Sequence, residues 1–155
     1  GGFGFYFGNK RIYWKTTFTF VNGVSRFDWD LEGMLDPGEL GTFNVSTDLL
    51  NAWTPTNTNT DVPALNASNY AYQANSDRFL VDASYVRMRN AQIGYKVPRA
   101  VLEGTFVKDL SIFVQGENLY NWTKWRGYDP ESNRGSDQYQ YPSPRTFTLG
   151  VDVKF

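Results

Sequence analysis

Two pairs of carboxylates stand one residue apart, Asp28 with Asp30 and Asp129 with Glu131. Paired carboxylates can hydrolyse glycosides, one as acid and one as nucleophile or base. Both pairs fall in irregular segments with no sign of a cleft, which argues against that chemistry. Asp129, Glu131 and Asn133 alternate like the start of a calcium loop, but Arg134 stands where such a loop needs Gly. The chain has no His and no Cys. The commonest general base, the commonest zinc ligand and the thiolate nucleophile are therefore missing. The expectation is no enzyme, no catalytic residue and no cofactor, with calcium at Asp129 the one exception left open. The remaining chemistry is aromatic. Trp53, Trp122, Trp125, Tyr128, Tyr139 and Tyr141 lie in segments read as loops. Such rings can stack on a sugar's C–H face, or fold their own loops, or meet a partner protein.

The elements that position these rings are strands. Phe3, Phe5 and Phe7 alternate with Gly4 and Tyr6, and Gly8-Asn9-Lys10 signals a tight turn. From Arg11 to Val21, Ile12, Trp14, Phe18 and Phe20 share one face, and Tyr13, Lys15, Thr17 and Thr19 the other. The pattern dissolves over residues 22–78, with a short helical turn expected near 48–53. It resumes from Phe79 to Lys96 with a phase change near Asn90, where one extra residue would make a β-bulge. Residues 97–108 are a modest connector. Leu110, Ile112 and Val114 then share a face, a second loop is expected over residues 118–144, and the last run sets Phe147, Leu149, Val151, Val153 and Phe155 on one face. About five strands result, joined alternately by short and long connections. Tyr120 and Trp122 continue the parity of Leu110 and Val114, so either ring can instead belong to the strand face.

Charge nearly cancels, with 15 Lys+Arg against 16 Asp+Glu, so nothing points to nucleic acid. No apolar run approaches the ~20 residues of a spanning helix. Membrane β-strands remain open, because alternating faces average out as polar. The aromatic share of 17% suits a barrel with aromatic girdles. Phe147 and Phe155 are separated along a tilted strand by roughly 19 Å of height, which approaches an apolar band of about 25 Å. Ile12, Trp14, Phe18, Phe20, Leu110, Ile112, Val114, Phe147, Leu149, Val151 and Val153 are the expected lipid-facing set. Thr148, Asp152, Lys154 and Gln115 would line a wet interior. About five strands cannot close a barrel, since open edges are not tolerated in hydrocarbon. The opening GGFGFYF reads as the middle of a strand, so the chain is expected to be a piece of something longer.

Five stretches, in order, resemble the SusC/RagA-type TonB-dependent outer-membrane transporters. They are NAWTP at 51–55 with NTDVP at 59–63, YVRMRNAQIGYKVP at 85–98, VQGENL at 114–119, KWRGYDPE at 124–131 and YPSPRTFTLGV at 141–151. Ala52 departs from the pattern, which often has Arg there. The resemblance covers nearly the whole chain from Arg11 onward. It implies an all-β fold, the last strands of a barrel of roughly 22 strands with a plugged lumen, with short periplasmic turns and long extracellular loops. Residues 1–155 would be C-terminal barrel wall, 22–78 and 118–144 two extracellular loops, and the plug and earlier strands would be absent. It further implies active uptake of an oligosaccharide, or of a peptide, across the outer membrane. The implied partners are a SusD-like surface lipoprotein, the TonB complex through the missing N-terminal region, the barrel assembly machinery and the lipid bilayer. Phe155 would be the C-terminal insertion signal. The loop aromatics would touch substrate or the lipoprotein lid, and the Asn-x-Ser/Thr triplets at Asn44, Asn66 and Asn121 carry no glycosylation meaning in a bacterium. Two rival readings are a soluble β-sandwich that binds carbohydrate and a structural or adhesion barrel without transport.

Overall fold

The computed structural model describes residues 1–66, 76–132 and 140–155. They form two compact units. The first is a five-stranded antiparallel sheet built from residues 1–23, 84–124 and 142–155. Its strands are β1 (Gly2–Gly8), β2 (Ile12–Val21), β5 (Tyr85–Lys96), β6 (Asp109–Thr123) and β7 (Thr146–Lys154), paired in that order. The second unit carries β3 (Ser25–Phe27), α1 (Trp29–Met34) and β4 (Leu80–Asp82).

The short connections fold as their residues dictate. The Asn9 side-chain oxygen accepts from the backbone N–H groups of Arg11 and Ile12 at 2.8 Å each, an Asx turn that closes the β1–β2 hairpin. One helical turn, α2 (Arg99–Leu102), bridges β5 to β6.

Register sorts the sheet into two faces, because side chains alternate along each strand. Phe3, Phe5 and Phe7 pair with Phe18, Thr16 and Trp14. Trp14 pairs with Ile93, Ile93 with Val114, and Val114 with Leu149. Every member of the expected lipid-facing set lies on this one face, exposed or half-buried. Its one polar interruption on β2, Thr16, is buried and donates its hydroxyl to the Asn90 carbonyl at 2.8 Å. A hydroxyl satisfied inside the sheet costs little in an apolar surrounding. The opposite face carries Lys15, Arg87, Gln92, Lys96, Gln115, Thr148 and Asp152. One row on that face alternates small and large residues across all five strands: Gly8, Tyr13, Gly94, Phe113 and Gly150. The Tyr13 ring covers Gly94, and the Phe113 ring covers Gly150.

The bulge sits at Arg89, one residue before the expected Asn90. Arg89 is skipped between the pairs Thr17–Asn90 and Phe18–Met88, and its Nε donates to Thr19 Oγ1 at 2.8 Å. The slip keeps a cation with the polar face while Met88 returns to the apolar one. Opposite it, β6 skips Asn118 and Leu119. Asn118 takes φ of 51°, a left-handed conformation that Asn tolerates better than most residues. The strand then continues to Thr123, so the second loop begins after 123 and not at 118.

The second unit corrects a larger expectation. Residues 24–66 and 76–83 are not structureless. Asp28, Asp36, Ser46 and Ser76 each turn a side-chain oxygen onto a backbone N–H two or three residues ahead, opening α1 and three 3₁₀ turns at Pro37–Glu39, Thr47–Asn51 and Asp77–Phe79. The turn expected near 48–53 is the second of these. They bring together a core of Leu35, Leu49, Ala52, Val62 and Phe79, with Phe27, Leu31 and Val45 against it. The β3–β4 ribbon pairs Arg26 with Val81.

Candidate functional site

The second unit carries an open cleft of about 980 Å³. One part of its lining is α1 and the residues after it, with Trp29, Asp30, Glu39, Phe43 and Asn44. The other part is the segment Arg126, Gly127 and Tyr128, with Gln140. Asp28 positions the first part: its N–H donates to the Phe79 carbonyl at 2.9 Å, and its carboxylate caps Leu31 N–H at 2.9 Å. Trp29 therefore stands at the first turn of α1, its ring centroid 4.4 Å from that of Phe27.

Arg26 positions the second part. Its Nη1 donates to the carbonyls of Asp129 and Pro130 at 3.1 and 2.9 Å. Its guanidinium also lies 4.3 Å from the centre of the Trp125 ring. Two charge-assisted hydrogen bonds and a cation–π contact converge on one side chain. Arg26→Ala should therefore loosen residues 125–132 by about 1–3 kcal/mol and speed proteolysis there at least tenfold, with the sheet unaffected. Limited proteolysis of the folded protein reads this, and an unchanged rate would contradict the role. Arg126 makes a weaker tie, Nη1 to Asp48 Oδ2 at 3.1 Å with both side chains exposed, worth at most about 1 kcal/mol. The Arg126 hydrogen bond, helped by Ser46, holds the Asp48 carboxyl below its ordinary pKa. Burial, then the charge of Asp36, pushes Glu32 up.

The aromatic candidates separate. Tyr128 lines the cleft and is exposed. Trp125 is buried under Arg26, so its ring offers no open platform. Trp122 lies on β6 beside Tyr120, at 4.7 Å, and Phe18, at 6.2 Å, on the apolar sheet face. Trp53 and Tyr141 are exposed outside the cleft lining. Tyr139, and the Asn133 and Arg134 of the calcium-loop comparison, lie outside the described residues. Asp28 and Asp30 do line a cleft, contrary to the expectation that they lack one, but Asp28 is spent on the cap. Trp29, Phe43 and Glu39 carry no alternation and no motif, which is why sequence reasoning passed over them.

The polar sheet face has a charged depression of about 440 Å³ at the end of the short connections. Lys15, Lys96, Lys154, Asp109 and Asp152 line it with Tyr6 and Tyr13. At the same end, beside the short connection that holds α2, Phe155 stacks on Phe106 at 5.6 Å, and Lys108 donates to the Phe155 carbonyl at 3.1 Å.

An antiparallel sheet with one continuous apolar face left exposed, one charged face and connections sorted by length is a section of membrane β-barrel wall. A soluble sandwich would bury that apolar face against a second sheet. Comparison with known proteins gives the family. The chain is 38% identical over 127 residues to TonB-dependent receptor P3 of Formosa agariphila, which covers 74% of this chain and 12% of that receptor. It is 32% identical over 117 residues to TonB-dependent receptor SusC of Bacteroides thetaiotaomicron, covering 72% and 11%. The fold superposes with a TM-score of 0.86 and 29% identity on the RagAB peptide importer in its open-open state, covering all of this chain and 17% of that one. No protein-family profile matches the chain. Sequence and fold together match it to the C-terminal part of SusC/RagA-type TonB-dependent receptors, in an outer-membrane β-barrel. The chain spans about an eighth of the length of the curated relatives it matches.

Proposed function

We propose that the chain is a section of wall and surface loops in a transporter that actively imports a nutrient across the outer membrane. The observation that carries this is the two-faced sheet, apolar on one side and charged on the other, on a fold like that of an importer. In this reading the apolar face meets lipid, and the charged face lines a lumen whose depression abuts a plug domain supplied elsewhere in the polypeptide. Further strands complete the barrel, because the edges β1 and β7 need partners in hydrocarbon. Segments 24–83 and 125–141 are extracellular, with loop aromatics such as Trp53, Tyr128 and Tyr141 toward cargo or a SusD-like lipoprotein. Energy comes from the TonB complex, and no step of catalysis is required.

The experiment uses the organism that makes the protein, grown on neutral oligosaccharides or on a tryptic peptide mixture as sole carbon source. Deleting the gene and deleting TonB should each abolish growth on the same one of the two. Growth on both sources in the absence of the gene would refute an importer; growth lost with the gene but kept without TonB would refute energised import.

Phe155 is assigned the further role of insertion signal, because an aromatic ring at the strand end sits where the girdle lies. Phe155→Ala in the full-length protein should lower its outer-membrane level severalfold. An unchanged level in the membrane fraction would leave Phe155 a girdle residue only.

A further inference from the structure

We infer that the end of the sheet bearing the short connections binds anionic phospholipid headgroups. This rests on reading the chain as outer-membrane barrel wall with those connections toward the periplasm. It goes beyond that reading in naming a lipid class and the residues that select it.

Charge is segregated between the two ends of the strands. The short connections, residues 9–11 and 97–108, carry four cations, Lys10, Arg11, Arg99 and Lys108, against a single anion, Glu103. The long connections, residues 22–84 and 124–145, leave the sheet at its other end and carry six Lys and Arg against twelve Asp and Glu. All five charged residues of the short connections are exposed. Lys10, Arg11 and Arg99 make no ion pair and no side-chain hydrogen bond among the described residues, and the Lys108 ammonium donates to the Phe155 carbonyl at 3.1 Å. The lysines of the nearby depression are a separate group. Lys15, Lys96 and Lys154 are interleaved with Asp109 and Asp152 on the polar face.

Apolar surface continues to the same end. Ile12, Leu110 and Val153 carry the apolar face down to the connections. Beyond them Val101, Phe106 and Phe155 are 68%, 79% and 70% exposed. Even the single turn of α2 carries both kinds of residue, Arg99 and Val101. Apolar groups beside long cationic side chains match the boundary between acyl chains and headgroups. The apolar groups enter the chains, the methylene stems lie along them, and the charges emerge among the phosphates. A soluble anion would gain nothing from the exposed valine and rings.

Charge then selects the headgroup. A zwitterionic lipid sets an ammonium beside its phosphate, whereas an anionic one leaves the phosphate uncompensated. Each Lys or Arg near an anionic surface strengthens association by about fivefold. An excess of three cations therefore favours the anionic lipid by up to about a hundredfold, less as salt screens it.

The test uses the full-length protein purified from outer membranes. It is placed in vesicles of phosphatidylethanolamine containing one part in five of phosphatidylglycerol, extracted in mild detergent, and its retained lipids are counted by native mass spectrometry. Phosphatidylglycerol should be retained well above its share of the vesicle. The combined change Lys10→Gln, Arg11→Gln and Arg99→Gln should cut that excess at least tenfold, with the barrel's heat-dependent gel mobility unchanged. Lys124→Gln with Arg145→Gln, at the other end of the strands, should leave it as it was. Glu103→Lys should raise it severalfold, which keeps the test decisive where the triple variant fails to fold. Retention in proportion to the vesicle's composition would overturn the proposal and leave the cations to a soluble acidic partner, with the importer reading intact. Equal losses at the two ends, or no rise with Glu103→Lys, would overturn it as well. Absence of the protein from the outer-membrane fraction would instead defeat the importer reading, and the proposal with it.

Discussion

Val114→Arg should destabilise the folded barrel by about 2–4 kcal/mol, the range for a cation on the lipid face near the bilayer midplane. Val114 is exposed on the apolar face and sits in register with Ile93 and Leu149. Among the described residues of that face, the polar interruption on β2, Thr16, already donates its hydroxyl to the Asn90 carbonyl. Gln115→Arg, one residue along, turns the same charge to the wet face, where Gln115 already donates to Glu117 at 2.9 Å. It should cost under about 1 kcal/mol, since an exposed cation beside a carboxylate is close to neutral. Urea unfolding in lipid vesicles separates the two. Equal costs would mean that the two faces meet the same medium.

Gly94→Val is the second large effect, for a different reason. A Cβ at Gly94 falls inside the space of the Tyr13 ring. That ring is not free to swing away without loss, because it is buried and its hydroxyl accepts from Gln92 Nε2 at 3.2 Å. Overpacking of this kind costs roughly 1–3 kcal/mol. The same side chain laid over a cross-strand Gly recurs at Phe113 and Gly150, so Gly150→Val should behave alike. The cause is testable by a cycle: Tyr13→Ser removes the ring, and Gly94→Val in that background should cost much less. Additive costs for the two changes would show that the ring and the glycine are not coupled.

Strands were legible because a sheet with two different faces writes its period into the residue order. Phe147, Leu149, Val151 and Val153 declare β7, and the change of parity between Met88 and Ala91 declares a bulge. Its exact position was not legible, because Arg89 and Asn90 are both polar and either can be the extra residue; the Arg89–Thr19 hydrogen bond decides it. The early end assigned to β6 has a similar origin. Asn118 reads as a loop residue, yet here it absorbs a left-handed turn within a strand that resumes at Tyr120. The second unit was the largest omission. Its signals are caps, such as Asp28 before Trp29 or Ser46 before Thr47, and each organises only one turn. The cleft depends on contacts between residues 26 and 130, a separation over which no sequence period runs. The family resemblance, carried by short ordered motifs, showed the wall and said nothing of Trp29 or Phe43.

The claim that one face of this sheet meets lipid and the other a wet lumen can be read residue by residue along β7. The chain has no native cysteine, so single cysteines placed at Phe147 through Lys154 in a full-length protein otherwise free of cysteine report only their own surroundings. A membrane-partitioning maleimide and a charged, water-soluble one would be compared on intact outer membranes. The prediction is a strict alternation: Leu149→Cys, Val151→Cys and Val153→Cys react with the membrane-partitioning reagent, while Thr148→Cys, Asp152→Cys and Lys154→Cys do not. Uniform reaction with the water-soluble reagent at all positions, or no alternation between neighbours, would contradict the barrel-wall account.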